Sequence, residues 1–234
     1  MTVYAGTSGY SYKEWKGSFY PEKLPAAEML RYYATQLPAV EINNTFYRLP
    51  RANVIESWAE QVPGDFRFVI KASRRITHFK RLRNSKEEAG YLVDTVAGLG
   101  ERLGVILFQL PPNFKKDLER LDDFLDDLPQ GLRAAFEFRH DSWYDEEVYA
   151  LLRKHNLALC LADNEGDDAR DLIGTADYGY LRLRRPDYRK PELSAWLDRI
   201  AAQEWKETYV FFKHEDGGAG PAMARRFLDL ATEK

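Results

Sequence analysis

The sequence predicts a closed (β/α)8 barrel of the TIM type. Three observations carry that expectation. Eight short apolar runs alternate with longer amphipathic runs, the order that lays a parallel sheet beneath outer helices. The 234 residues match a fold that takes about 250, so one domain is expected over 1–234. No Gly-rich dinucleotide fingerprint follows a strand, which weighs against the open, doubly wound sheet that the same alternation also permits.

Each element has a local reason. The first strand is expected over Val3 to Thr7, followed by a Gly/Ser/aromatic loop through Pro25 and a helix from Ala26 to Gln36. Ala39 to Asn43 is the second strand, and Pro50 precedes a helix over Ala52 to Gln61. Phe66 to Ala72 is the third strand, with a helix over Lys86 to Leu99. Gly104 to Gln109 is the fourth, stopped by Pro111 and Pro112. The next helix is the clearest, because Leu118, Leu121, Leu125 and Leu128 recur at helical spacing among acids. Arg133 to Arg139 and Leu157 to Ala162 are strands five and six, flanking a helix over Asp145 to His155. The acidic stretch 164–178 lacks periodicity and reads as a loop. Gly179 to Arg184 and Thr208 to Lys213 are the last strands. Their helices run over Leu193 to Gln203 and Pro221 to Leu230, where Pro221 suits a first helical turn.

Strand parity then sorts the side chains, since alternate residues face opposite sides. Val40 and Ile42 oppose Glu41 and Asn43; Phe136 and Phe138 oppose Glu137 and Arg139. Phe68 and Ile70 oppose Val69 and Lys71; Leu181 and Leu183 oppose Tyr180, Arg182 and Arg184. Val105, Leu107 and Gln109 share a face, as do Leu159, Leu161 and Asp163. A helix-covered face would not tolerate Glu41, Glu137 and Arg182 unpaired. The polar sets are therefore expected to point into the barrel near its C-terminal mouth, where barrel enzymes keep their active sites. Polar strand ends at Glu41, Lys71, Gln109, Arg139, Asp163 and Lys213 make the same point.

Composition removes several alternatives. Lys and Arg number 34 against 37 Asp and Glu, so no global field draws the chain to nucleic acid or an anionic membrane. Its single cysteine, Cys160, sits in an apolar run and is expected to be a buried thiol. Without a CxxC pair, cysteine-ligated zinc or iron–sulfur is not supported. No signal-peptide core opens the chain and no apolar run approaches a membrane span, so a cytoplasmic protein is expected. No phosphate-binding Gly-rich motif implies a nucleotide cofactor.

The strand ends nominate the chemistry. Glu41 and Glu137 lie three strands apart and can face one another, as paired carboxylates do when they divide acid and base roles. Glycoside hydrolysis is one such use, with the aromatic loop residues Tyr10, Tyr12, Trp15, Tyr20, Phe46, Tyr47 and Trp143 available for stacking. Lys71, Arg139, Arg182, Arg184 and Lys213 suit a small anionic or polar ligand. Lys71 is expected to pair with Glu41 or Glu137; the sharper alternative is a Schiff-base nucleophile. His78 follows a strand and joins the catalytic candidates, whereas His140 and His155 read as structural or solvent-facing. Glu41, Glu137, Asp163 and either His78 or His214 supply donor types for a divalent metal, though without a recognised spacing. The basic run Lys71, Arg74, Arg75, Lys80, Arg81, Arg83 and Lys86 opens a phosphoester-hydrolase or nuclease alternative. A noncatalytic binding or scaffold role, with Glu41, Glu137, Arg139 and Arg182 as a buried ion-pair network, is the other alternative.

Several segments together resemble the DUF72, or YecE-like, family. They are Gly6-Thr7-Ser8-Gly9-Tyr10-Ser11-Tyr12 with Trp15-Lys16-Gly17 and Phe19-Tyr20-Pro21, Val40 through Tyr47, Phe66-Arg67-Phe68 through Lys71 with Ile76-Thr77-His78, Phe108 through Pro112, and Glu137-Phe138-Arg139-His140 with Ser142-Trp143. The resemblance spans essentially the whole chain. It implies a TIM-type barrel and no particular reaction. The pocket residues it implies are Glu41, Asn43, Lys71, His78, Gln109, Glu137, Arg139 and Trp143. The sequence departs from the commoner form of that family at Leu181-Arg182-Leu183-Arg184-Arg185 and at Phe211-Phe212-Lys213-His214-Glu215.

Overall fold

A computed structural model of the chain describes residues 1–166, 170–213 and 216–233. Eight strands close into a parallel barrel in chain order: β1 (Thr2–Ser8), β2 (Ala39–Ile42), β3 (Arg67–Lys71), β4 (Leu103–Gln109), β5 (Ala134–Glu137), β6 (Ala158–Asp163), β7 (Tyr178–Leu183) and β8 (Glu207–Phe212). β1 pairs with both β2 and β8, which is what closure requires. The helices α1 (Met29–Ala34), α2 (Ala52–Glu60), α3 (Lys86–Val96), α4 (Leu118–Asp126), α5 (Glu146–Lys154), α6 (Lys190–Ala201) and α7 (Ala219–Thr232) follow their strands, and β6 passes to β7 with no helix among the described residues. The closed barrel expected from the alternation is therefore observed.

Helix starts follow side-chain chemistry. Asp117 opens α4 by accepting from the Arg120 backbone N–H at 3.1 Å, and Asp145 opens α5 by accepting from Glu147 N–H at 2.9 Å. Each carboxylate satisfies an orphan donor of the first turn. Among the described residues, no helix is long and apolar enough to cross a membrane.

Two apolar layers form, and parity separates them. Val40, Ile42, Phe68, Ile70, Phe136 and Leu181 belong to the layer beneath the helices. Ala39, Val69, Leu107, Ala135, Cys160 and Tyr180 fill the barrel interior. Cys160 is buried, and burial pushes its thiol well up, so it is a core group rather than a nucleophile. The lower interior is plugged by aromatic rings, where Tyr178 Oη accepts from Ala134 N–H at 2.9 Å and donates to Ala134 O at 3.0 Å.

The β1–β2 seam is tight enough to demand glycine. Tyr33 Oη accepts from Thr7 N–H and donates to Ala39 O, both at 2.9 Å, clipping α1 across the two strands. A Cβ on Gly6 would lie 1.8 Å from Ala39 O, a backbone atom that cannot step aside. Gly6→Ala is expected to cost about 1–3 kcal/mol of strain and to lower the melting midpoint by roughly 2–12 °C. An unchanged midpoint by calorimetry would contradict this account of the seam.

Candidate functional site

Just below the mouth the inward polar residues meet at Arg182. Its Nη1 donates to Glu137 Oε2 at 2.7 Å and its Nη2 to Glu41 Oε1 at 2.8 Å. All three side chains are buried. Glu41 Oε1 also accepts from Ser8 Oγ (2.8 Å) and Asn43 Nδ2 (2.9 Å), and its Oε2 accepts from Tyr180 Oη (2.7 Å). Glu137 Oε1 accepts from Gln109 Nε2 at 2.8 Å. Among the described residues, Arg182 Nε has no hydrogen-bond partner.

Both carboxylates are ionised. Burial alone would raise Glu41, but the charge and hydrogen bonds of Arg182, with Tyr180 and Arg184, outweigh it and hold the group down at about 2. Glu137 is lowered in the same way, burial being overcome by Arg182, Gln109 and Lys71. Dividing acid and base roles requires two pKa values pushed apart. Here both move down because one guanidinium serves both groups.

Over this network lies a cavity of about 320 Å³, at the small end of ligand sites. It gathers seven residues nominated from sequence: Asn43, Lys71, Gln109, Glu137, Arg139, Arg182 and Arg184. Glu41 stands behind the wall, holding Arg182. Ser8, Tyr12 and Asn164 also line the cavity. Ser8 is legible as the polar end of β1. Tyr12 was among the stacking aromatics. Asn164 shares the inward parity of Ala158, Cys160 and Ala162, a small-residue pattern that its lack of charge obscured.

Asp163 is the clearest correction. Its parity is that of Leu159 and Leu161, which face the helices. Its carboxylate accepts from Arg185 Nε at 3.0 Å and Tyr188 Oη at 2.7 Å, away from the cavity. Trp143 is likewise structural: fully buried, it stacks on Phe138 with centroids 4.7 Å apart and donates Nε1–H to Phe114 O at 2.6 Å. Lys213 follows β8, half-buried, and is not among the described residues lining the cavity. His214 and Glu215 lie outside the described residues.

The expected pairing of Lys71 with a carboxylate does not occur. Among the described residues neither Lys71, Arg139 nor Arg184 approaches a carboxylate oxygen within 4.0 Å, because Arg182 occupies both glutamates. Lys71 Nζ instead lies 4.4 Å from the centroid of Phe46. Burial and then the charge of Arg182 bring Lys71 down to about 8, against opposing pulls from Glu41 and Glu137. Arg184 is also lowered by burial and Arg182, and its Nη1 lies 3.5 Å from Ser8 Oγ.

His78 sits on a wide helical turn, Arg75–Phe79, and meets the Phe46 ring edge-on at 4.9 Å. Its Nδ1 is 2.9 Å from Thr77 Oγ1. Burial, then Lys71, Arg139 and Arg81, lower its pKa, so the imidazole is neutral at pH 7. The rest of the basic run disperses. Arg75 and Lys80 both bind Glu88, and Lys86 binds Asp127.

Among the described residues, the metal donors nominated from sequence do not converge. Among the described residues one group meets the distance requirement for a metal ion: Asp122, Asp126 and His155, whose ligand atoms lie within 4.8 Å of one another. It is on α4 and just beyond α5, none of its members lines the mouth cavity, and Lys154 already sits 3.3 Å from Asp122 and 3.9 Å from Asp126.

Fold and site together define a (β/α)8 barrel with a small cation-lined cavity at the C-terminal mouth. The chain belongs to the DUF72 family: the family model described as protein of unknown function DUF72 matches residues 4–234. It is similar to the UPF0759 protein YunF of Bacillus subtilis (strain 168), 26% identical across 97% of this chain and 94% of that one. It is 31% identical to the UPF0759 protein YecE of Escherichia coli (strain K12) over 61% of this chain, which is 50% of that relative. Among solved structures, a DUF72 family protein from Thermotoga maritima MSB8 superimposes with a TM-score of 0.87 at 31% identity, covering 100% of both chains. A DUF72 family protein from Enterococcus faecalis V583 shares the fold, with a TM-score of 0.81 at 19% identity over 99% of this chain and 96% of that one.

Proposed function

We propose that the mouth cavity binds a small anionic substrate and that the barrel is an enzyme acting on it. One observation carries this reading: three cations, Lys71, Arg139 and Arg184, border a cavity whose neighbouring carboxylates are already held by Arg182. Lys71 and Arg184 are partly buried while Arg139 is exposed at the rim; partly desolvated cations with no carboxylate partner among the described residues are costly, and a bound anion relieves that cost. Arginine forks suit carboxylate or phosphate oxygens, and lysine adds a mobile point charge.

In this reading Glu41 positions Arg182 and does not touch substrate. Glu137 borders the cavity as a fixed negative charge that orients Arg182 and Gln109. Lys71, brought down to about 8, changes protonation near neutral pH. The dispersed charges of the 71–86 run favour a compact anion over a nucleic-acid backbone, which needs a continuous cationic track.

Calorimetric titration with inorganic phosphate tests the cavity. Wild type is expected to bind, with affinity falling as salt rises. Arg184→Gln is expected to weaken binding at least tenfold, about 1.4 kcal/mol, while Arg75→Gln leaves it unchanged. Equal affinity in wild type and Arg184→Gln would remove the anion-binding assignment.

A further inference from the structure

We propose that Lys71 forms an imine with a substrate that carries a carbonyl beside its anionic group. This deepens the anion-binding reading of the same cavity and rests on it. Four features of the site point to that chemistry. Lys71 ends β3, and its carbonyl oxygen accepts from Thr45 Oγ1 at 2.7 Å, so its backbone is anchored. Its Nζ borders the cavity without a carboxylate within 4.0 Å among the described residues, so no ion pair locks the ammonium form. Arg184 and Arg139 border the same small cavity and can hold an anionic group next to a carbonyl carbon presented to Nζ. Phe46 packs against both Lys71 Nζ, 4.4 Å from its centroid, and the His78 ring, 4.9 Å from it, which holds the lysine against an apolar face.

The Phe46 ring face favours the cationic lysine, but burial and Arg182 act against it more strongly, leaving Lys71 at about 8. About a tenth of the amine is then neutral at pH 7, far more than for an exposed lysine. Desolvation beside a second cation is the recognised means of activating a Schiff-base lysine.

The step balances without an external oxidant or reductant. The Nζ lone pair attacks the carbonyl carbon, a C–N bond forms, and the C=O π pair moves to oxygen. A proton passes from nitrogen to that oxygen, giving a carbinolamine. The hydroxyl then leaves as water with one further proton, and C=N remains.

Borohydride trapping with pyruvate tests the proposal. The expected product is a single adduct whose mass gain is that of the oxo acid less one oxygen, mapped to Lys71 by peptide mass spectrometry of the wild-type protein. Saturating inorganic phosphate is expected to suppress it. Propionaldehyde, which lacks the anionic group, is expected to be trapped at least tenfold more slowly at this residue. The trapping rate is expected to rise with pH toward about 8. Lys71→Arg, folded by its urea midpoint, is expected to give no adduct. If phosphate binds and no Lys71 adduct forms, or if exposed lysines such as Lys190 and Lys206 are modified as readily, the imine is overturned while the anion site stands. Absence of phosphate binding to wild type would overturn the anion site itself.

Discussion

Arg182→Leu is expected to destabilise the protein by about 3–5 kcal/mol, the cost of breaking a buried ion pair by removing one partner. The substitution leaves Glu41 and Glu137 buried, with only Ser8, Asn43, Tyr180 and Gln109 to hold two negative charges. The two carboxylates then repel one another and take up protons. Combining Arg182→Leu with Glu41→Gln and Glu137→Gln is expected to recover a large part of the loss, because the uncompensated charges are gone. Urea unfolding at pH 7 reads both effects. Removing an exposed pair, as in Arg189→Ala, is expected to change stability by less than about 1 kcal/mol. A loss for Arg182→Leu no larger than that surface control would mean the triad is not what holds the mouth together.

Acidification is expected to have the second-largest effect. Glu41 lies near 2 in the folded barrel against an ordinary value of 4.5, so the unfolded chain binds more protons between those limits. Its stabilising contribution is complete above pH 4.5 and is lost as pH falls toward 2. The shift corresponds to something on the order of 3 kcal/mol. Glu137 is shifted in the same direction and steepens the loss. Lys71 acts at the other end of the scale. Its folded value of about 8 lies below its ordinary 10.5, so the folded state is penalised below pH 8 and the penalty lifts as pH rises from 8 to 10.5. Urea midpoints across pH are expected to show both limbs. Lys71→Met is expected to flatten the alkaline rise. Glu41→Gln is expected to start less stable at pH 7 and to lose less on acidification. Parallel curves for wild type and Glu41→Gln would place the acid sensitivity elsewhere.

The two limbs also separate structural from reactive groups. Glu41 and Glu137 titrate far below neutrality and act as fixed charges. Lys71 changes protonation between pH 6 and 9, because burial and then Arg182 bring it down to about 8. A rate profile with this origin rises toward alkaline pH.

The barrel and most of its inward face were legible in the chain because both follow from short-range rules. Alternation of apolar strands with amphipathic helices specifies parallel order, and a period of two assigns Glu41, Lys71, Gln109, Glu137, Arg182 and Arg184 to one side of the sheet. Where the same rule was set aside in favour of charge, it was charge that misled: Asp163 has the parity of Leu159 and Leu161 and faces Arg185 and Tyr188, while uncharged Asn164 reaches the cavity. Trp143 carried no parity signal, being in a loop, and its burial against Phe138 is decided by packing between neighbouring loops.

What the sequence alone determined is which side chains point inward, and hence that charges from distant strands share one mouth. Which charge pairs with which was decided only by the closed sheet. Arg182 can reach Glu41 and Glu137 together because barrel closure brings β2, β5 and β7 around one axis, and one guanidinium offers a separate nitrogen to each carboxylate. With both glutamates taken, Lys71, Arg139 and Arg184 face the cavity without either of them. Partner choice depends on three-dimensional distance across the barrel, a quantity that strand parity does not contain.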